Sequence, residues 1–119
     1  MSVALKKKSN SNFLNGVPVL LVLKLLSEKE MYGYEIVKAI EEKSGKSLAF
    51  AEGCIYPTLH VLEEDGHIKS YEKPINGRTR LYYGITPTGK KKLEQLTGEW
   101  EKISQGVRFV LFQQKEATA

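Results

Sequence analysis

The sequence predicts a mainly helical α+β fold: three helices, a β-hairpin, then one long helix. Three observations carry this. Asn76-Gly77 stands before a β-prone run, the strongest short-range hairpin signal. Apolar residues recur at helical spacing on both sides of it. Leu93, Leu96, Trp100, Ile103, Val107 and Val110 are spaced 3, 4, 3, 4, 3, an a/d stripe sustained for nearly three heptads.

The chain has 119 residues, one domain with a modest core. A net charge of +4 and a pI of about 9.1 point to an anionic partner. Cys54 is the one cysteine, so no intrachain disulfide and no Cys-rich zinc site can form, which fits a reducing compartment. Lys6-Lys7-Lys8 followed by Val17 to Leu26 superficially resembles a secretion signal. Pro18 and Lys24 interrupt that stretch, and it is too short to span a bilayer. A cytoplasmic protein without a membrane partner is expected.

Residues 1–10 read as a disordered basic arm. Ser11 or Asn12 can cap a first helix running to about Leu26. Phe13, Leu14, Val17, Leu20 and Leu21 follow helical spacing, and Val19, Val22 and Leu23 cover the other face. A helix apolar nearly all round needs cover on both sides, which in so small a chain implies a second subunit. Ser27 to Glu30 reads as a turn. A second helix spans about Tyr32 to Ser44, with Tyr34, Val37 and Ile40 inward, and Gly45 ends it. A third helix spans about Glu52 to Asp65, with Ile55, Leu59 and Leu62 as its buried stripe and Gly66 after its last turn. Pro57 opens its first turns slightly, because the carbonyl of Gly53 loses its donor.

Strands follow at His67 to Lys73 and Leu81 to Ile85. Thr86 is a good N-cap and Pro87 a favoured first residue for a helix running to about Gln113, after which residues 114–119 fray. Residues 11–86 thus form one unit and residues 87–113 a dimerisation helix. If Arg78 to Ile85 is extended, Arg78 and Arg80 share a face beside an exposed turn. Parallel guanidinium groups there are shaped to straddle phosphates. That is the wing of a winged helix-turn-helix.

Tyr32-Gly33-Tyr34-Glu35-Ile36, Gly53-Cys54-Ile55-Tyr56-Pro57-Thr58-Leu59 with Leu62-Glu63, and Gly77-Arg78-Thr79-Arg80 with Tyr82-Tyr83 and Thr86 to Gly89 closely resemble the PadR family of bacterial transcriptional regulators, over roughly residues 13–113. The resemblance implies a dimeric winged-helix repressor, responsive to a small molecule, using no metal or cofactor. It also makes the third helix the recognition helix.

The residues expected at double-stranded DNA are Tyr34, Lys38, Cys54, Tyr56, Thr58, His60, Lys73, Asn76, Arg78 and Arg80. The third helix carries no Lys or Arg and is acidic at Glu52, Glu63, Glu64 and Asp65. Guanine reading usually needs Arg or Lys, so affinity is expected from Lys38, Lys69, Lys73, Arg78, Arg80 and the arm, through salt-sensitive phosphate contacts. Each residue also has a plainer role. Tyr56 packs with its hydroxyl on a phosphate or reads a base; Arg78 and Arg80 bind phosphate or are solvated; Cys54 is inert or redox-active. Of Tyr82 and Tyr83, one packs inward and the other lies on the wing.

Trp100 occupies the middle of the final seam. It is either a dimer anchor or a wall of an effector pocket for flat aromatic, lipophilic or cationic compounds, with Phe13, Val17, Leu96, Ile103 and Val107 beside it. The leading function is a repressor on a palindromic operator. The alternative is a winged-helix protein-interaction module with weak or non-specific DNA binding, suggested by the acidic third helix. No nucleophile–His–acid set, carboxylate pair or phosphate loop supports an enzyme.

Overall fold

A computed structural model describes residues 16–118, with side chains through residue 112. The order is α1 (from residue 16 to 28), β1 (Met31–Tyr32), α2 (Gly33–Lys43), α3 (Glu52–Glu64), β2 (Ile68–Ile75), β3 (Arg78–Ile85) and α4 (Pro87–Thr118). The strands form one antiparallel sheet in the order β1-β3-β2. The start of the first helix, with Ser11, Asn12, Phe13 and Leu14, and the basic arm lie outside the described residues.

The core sits where α1, α2, α3 and one face of the sheet meet. Val22, Leu23, Leu25 and Leu26 of α1, Ile36 and Ile40 of α2, Ile55, Leu59 and Leu62 of α3, and Met31, Ile68 and Tyr83 of the strands are all buried. Leu93 and Leu96 of α4 pack against this cluster. The α3 stripe is the one expected from the 55-59-62 spacing.

The α2 stripe differs at one residue: Ile40 is buried and Val37 packs against the core as expected, but Tyr34 does not. Tyr34 was expected inward and is 48% exposed, whereas Ile36 and Ile40 are buried and Val37 only half-buried. The reason lies at the helix start. Tyr32 is extended and caps α2, and its N–H donates to the Glu35 carboxylate at 3.2 Å. The helix therefore begins at Gly33, and the buried face runs 33, 36, 40. Tyr34 lies on the opposite flank.

Tyr32 is diverted because Met31-Tyr32 pairs with Tyr83-Tyr82 of β3. That two-residue strand was absent from the sequence reading, which placed a turn and a helix start there. Two residues are too few for an alternation signal; only the neighbouring strand reveals them. Residues 27 and 28, read as part of a turn, instead complete α1. The α4 helix likewise runs past its expected end near residue 113 to Thr118.

The hairpin forms as expected but longer. Ile75 pairs with Arg78 across a two-residue turn. Asn76 (φ 52°) and Gly77 (φ 76°) are both left-handed, the geometry whose twist matches the flanking strands. Pro74 is tolerated because β2 is an edge strand. Tyr83 turns into the core and Tyr82 lies on the other face.

The α4 helix, of 32 residues, is about 48 Å long. The radius of gyration is 17.1 Å, against about 13–14 Å for a compact chain of this length. The excess comes from α4 extending beyond the globular part. Along it Ile103, Val107, Phe109, Val110, Leu111 and Phe112 are all exposed.

Candidate nucleic-acid interface

Ala51 precedes α3 in extended conformation and gives it no side-chain cap. Its carbonyl instead accepts from the N–H groups of Cys54 and Ile55 at 2.9 and 3.1 Å. Burial of Ile55, Leu59 and Leu62 leaves Gly53, Tyr56, Pro57, His60, Val61, Glu63 and Glu64 outward. Cys54 and Thr58, expected outward, are half-buried. The Thr58 hydroxyl donates to the Cys54 carbonyl at 3.0 Å, a back-bond that holds its proton on its own helix. The outer surface is thus Tyr56, His60 and the apolar Val61, with acidic residues at its far end.

Tyr56 is half in and half out, at 36% exposed. Its ring lies over the first residue of α2. A Cβ placed on Gly33 would fall 2.5 Å from Cε1 and Oη and 2.6 Å from Cζ. Only glycine leaves room for the ring where it lies, so Gly33 seats Tyr56, whose hydroxyl end rests against the start of α2. Tyr34 and Lys38 of α2 are exposed and line a shallow groove with Glu35 and Glu42.

The outer face of the wing carries Lys73, Arg78, Arg80 and Tyr82, joined by Tyr71 and Tyr32 through the strand register. Its two arginines differ. Arg78 is exposed beside Asn76-Gly77. Arg80 is half-buried, with Cζ 4.4 Å from the Tyr32 ring centroid. Lys73 Nζ sits 4.9 Å over Tyr82, which meets Tyr32 edge-on at 5.5 Å and stacks on Tyr71 at 6.3 Å. The Tyr71 hydroxyl donates to the Glu30 carboxylate. That bond to an anion pushes the phenol pKa above its ordinary value. In Tyr83 burial does so first, helped by the negative charge of Glu63. Arg80 and Lys73 thus hold their charge over aromatic faces, and Arg78 remains the guanidinium at the tip.

Glu30, Tyr32 and Tyr71 join this face although no sequence signal placed all three there. The available signal was the alternation of Tyr71 with Lys69 and Lys73 along β2; the contribution of β1 had none.

Gly16, Val17, Leu20, Leu96, Glu99, Trp100 and Ile103 line about 200 Å³ of mostly apolar space between α1 and α4. Val107 lies beyond it, grouped with Ile103, Gly106, Val110 and Leu111 in an open apolar surface. Glu101 faces another flank, beside Lys102 and Arg108. Phe13 lies outside the described residues. Among the described residues, no three of His, Cys, Asp and Glu are grouped to hold a metal ion, and no helix is long and apolar enough to cross a membrane.

Comparison with known proteins matches this arrangement to one family. The model of the "Transcriptional regulator PadR-like family" covers residues 22–95. Transcriptional regulator Rv3488 of Mycobacterium tuberculosis is 31% identical over 86 residues, 72% of this chain and 78% of that protein. A transcriptional regulator from Clostridium thermocellum superimposes with a TM-score of 0.75 at 36% identity, over 82% of this chain and 93% of the other. A PadR family transcription regulator from Clostridium difficile superimposes with a TM-score of 0.70 at 34% identity, over 79% and 97%.

Proposed function

Because this chain belongs to the PadR-like family of DNA-binding transcriptional regulators, we propose that it acts in the cytoplasm as a homodimeric repressor of a palindromic operator. Each protomer lays α3 in the major groove. Tyr56, His60 and Val61 face the bases or the adjoining phosphates; Lys38, Lys73 and Arg78 hold the backbone. A two-fold axis places two half-sites one helical turn or more apart. With no Lys or Arg on the outer face of α3, sequence preference comes from few contacts and affinity from phosphates.

The observation that carries the dimer is the exposed apolar face of α4. Ile103 and Val107 are each about half exposed and Val110 is 73% exposed, on one a/d seam. Monomers rarely leave so continuous an apolar surface in water. A second copy covers it, and it covers the open side of the Trp100 cleft as well. A flat aromatic or lipophilic effector between Trp100, Leu96, Val17 and Ile103 then changes the separation of the two DNA-binding heads. It does so only through unequal affinity for the two arrangements.

The test is a fluorescence-anisotropy titration against the duplex upstream of its own gene, beside a scrambled duplex, at low and moderate salt. Saturable preference for the native duplex is expected. Equal binding to both, lost with salt, would reduce the protein to a backbone binder. It would also move the protein-interaction reading to first place.

A further inference from the structure

The end of the recognition helix and the start of the long helix are fastened to each other, although the whole wing separates them in sequence. The α3 helix closes with His67 N–H on the Leu62 carbonyl and Gly66 N–H on the Glu63 carbonyl, at 2.9 and 3.0 Å, Gly66 being left-handed at φ 79°. This closure turns the Gly66 carbonyl outward. Two hydroxyls of the α4 start reach it: Thr86 Oγ1 at 2.7 Å and Thr88 Oγ1 at 2.9 Å. Thr86 Oγ1 also accepts the Gly89 N–H at 3.1 Å as the N-cap of α4, and Thr86 N–H donates to the His67 carbonyl at 3.1 Å.

Steric fit closes the same joint. Gly89 is buried, and a Cβ there would stand 2.0 Å from the His67 carbonyl oxygen and 2.8 Å from Ile85 Cγ1. The obstructing oxygen is backbone and has no rotamer to adopt. The end of α3, both strands of the wing and the first turn of α4 therefore meet at one point without slack.

We propose that Thr88 and Gly89, with Thr86, form a latch that fixes the angle between the recognition helix and the long helix, and so sets the half-site spacing the protein accepts. These are positioning residues and touch no DNA. The inference rests on the two-headed reading above. With α4 as the dimer element, any rotation of α3 about its joint to α4 is carried to both heads. One base-pair step moves a half-site by about 3.4 Å along the axis, so a stiff joint discriminates spacers and a loose one does not.

The experiment starts from duplexes selected by the wild-type protein out of a random-sequence pool. Two copies of the recovered half-site are then placed with spacers lengthened or shortened by up to two base pairs. A duplex with one half-site is the control, and sedimentation gives the oligomeric state. The variants are Thr88→Val, which keeps the Thr86 cap, Thr88→Ser, which restores the hydroxyl, and Gly89→Ala. The wild type is expected to prefer one spacer by about tenfold or more, equivalent to about 1.4 kcal/mol. Thr88→Val and Gly89→Ala should narrow that ratio to about threefold or less with single half-site affinity unchanged, and Thr88→Ser should recover it.

A Thr88→Val profile as sharp as the wild type's overturns the latch. So does an equal loss on the single half-site, which would mark a local folding role. A wild-type dimer indifferent to spacing refutes the latch and leaves the dimer standing. A wild-type monomer removes both.

Discussion

Gly33→Ala isolates the seat of Tyr56 from every other contact. The added methyl would lie 2.5–2.6 Å from three atoms of the ring. Carbon atoms rest about 3.5–4.0 Å apart, so the ring must retreat by about 1 Å. It can, because it stands at the surface at 36% exposed and the obstructing atoms are the far end of a side chain. Overpacking of this kind costs about 1–3 kcal/mol. Alanine in a helix returns about 0.5–1 kcal/mol relative to glycine. The net loss, about 0–2.5 kcal/mol, lies within the usual 5–15 kcal/mol stability of a domain, so the fold survives.

Binding is affected more. A hydrogen bond from the Tyr56 hydroxyl to a phosphate is worth about 1.5–3 kcal/mol, and a 1 Å displacement forfeits it. The expected loss of affinity for a single half-site is therefore roughly 10- to 150-fold. Tyr56→Phe should lose as much without any clash. Because both substitutions act through one hydroxyl, the double variant should be scarcely weaker than either, a coupling of about 1.5–3 kcal/mol. The assay is anisotropy on the single half-site duplex for all four proteins, with thermal unfolding of each. Gly33→Ala binding like the wild type, or losses that add in the double variant, would refute the seating argument.

On a single half-site, Arg78→Ala should lower the slope of log affinity against log salt by about 0.9, one phosphate contact, and leave the melting temperature unchanged. Arg80→Ala should also cost about 0.5–1 kcal/mol of stability through the lost Tyr32 contact, measurable by denaturant unfolding. Val107→Asp should convert the dimer to monomers in sedimentation while protomer circular dichroism is kept, since burying an unpaired carboxylate in a seam is prohibitive. The Tyr71 and Tyr83 pKa values lie above 10.0, so the folded state holds those protons more tightly than the unfolded. The resulting stability is present below about pH 10 and is lost as pH rises through the folded values. Glu30→Gln should bring one tyrosine back toward pH 10.0 in an ultraviolet tyrosinate titration.

How far the site was legible follows from the range of each signal. Asn76-Gly77, Arg78 and Arg80 were readable because a two-residue turn fixes its own register. The 55-59-62 stripe was readable because a helix repeats its pattern. Tyr34 was misplaced because the face of a short helix depends on where it starts, and the start was set by pairing between β1 and β3. Thr58 and Cys54 were placed too far out for a related reason: intermediate helix positions are decided by what packs beside them. Arg80 read as the twin of Arg78, and strand alternation was right about their shared face. Alternation does not show that Tyr32 comes from another strand to lie under only one of them.

The succession of helices and hairpin, the wing turn, the buried face of α3, the apolar seam of α4 and the family are all written in the sequence, in local periodicity or in a contiguous motif. Tertiary structure alone decided the β1 pairing, the tyrosine face with Glu30, the seating of Tyr56 on Gly33 and the joint of Gly66 and His67 with Thr86, Thr88 and Gly89. Each of these joins residues about 20 or more positions apart, or on different elements. Such contacts follow from how helices and strands pack around a shared core, and that packing leaves no periodic trace in a single sequence.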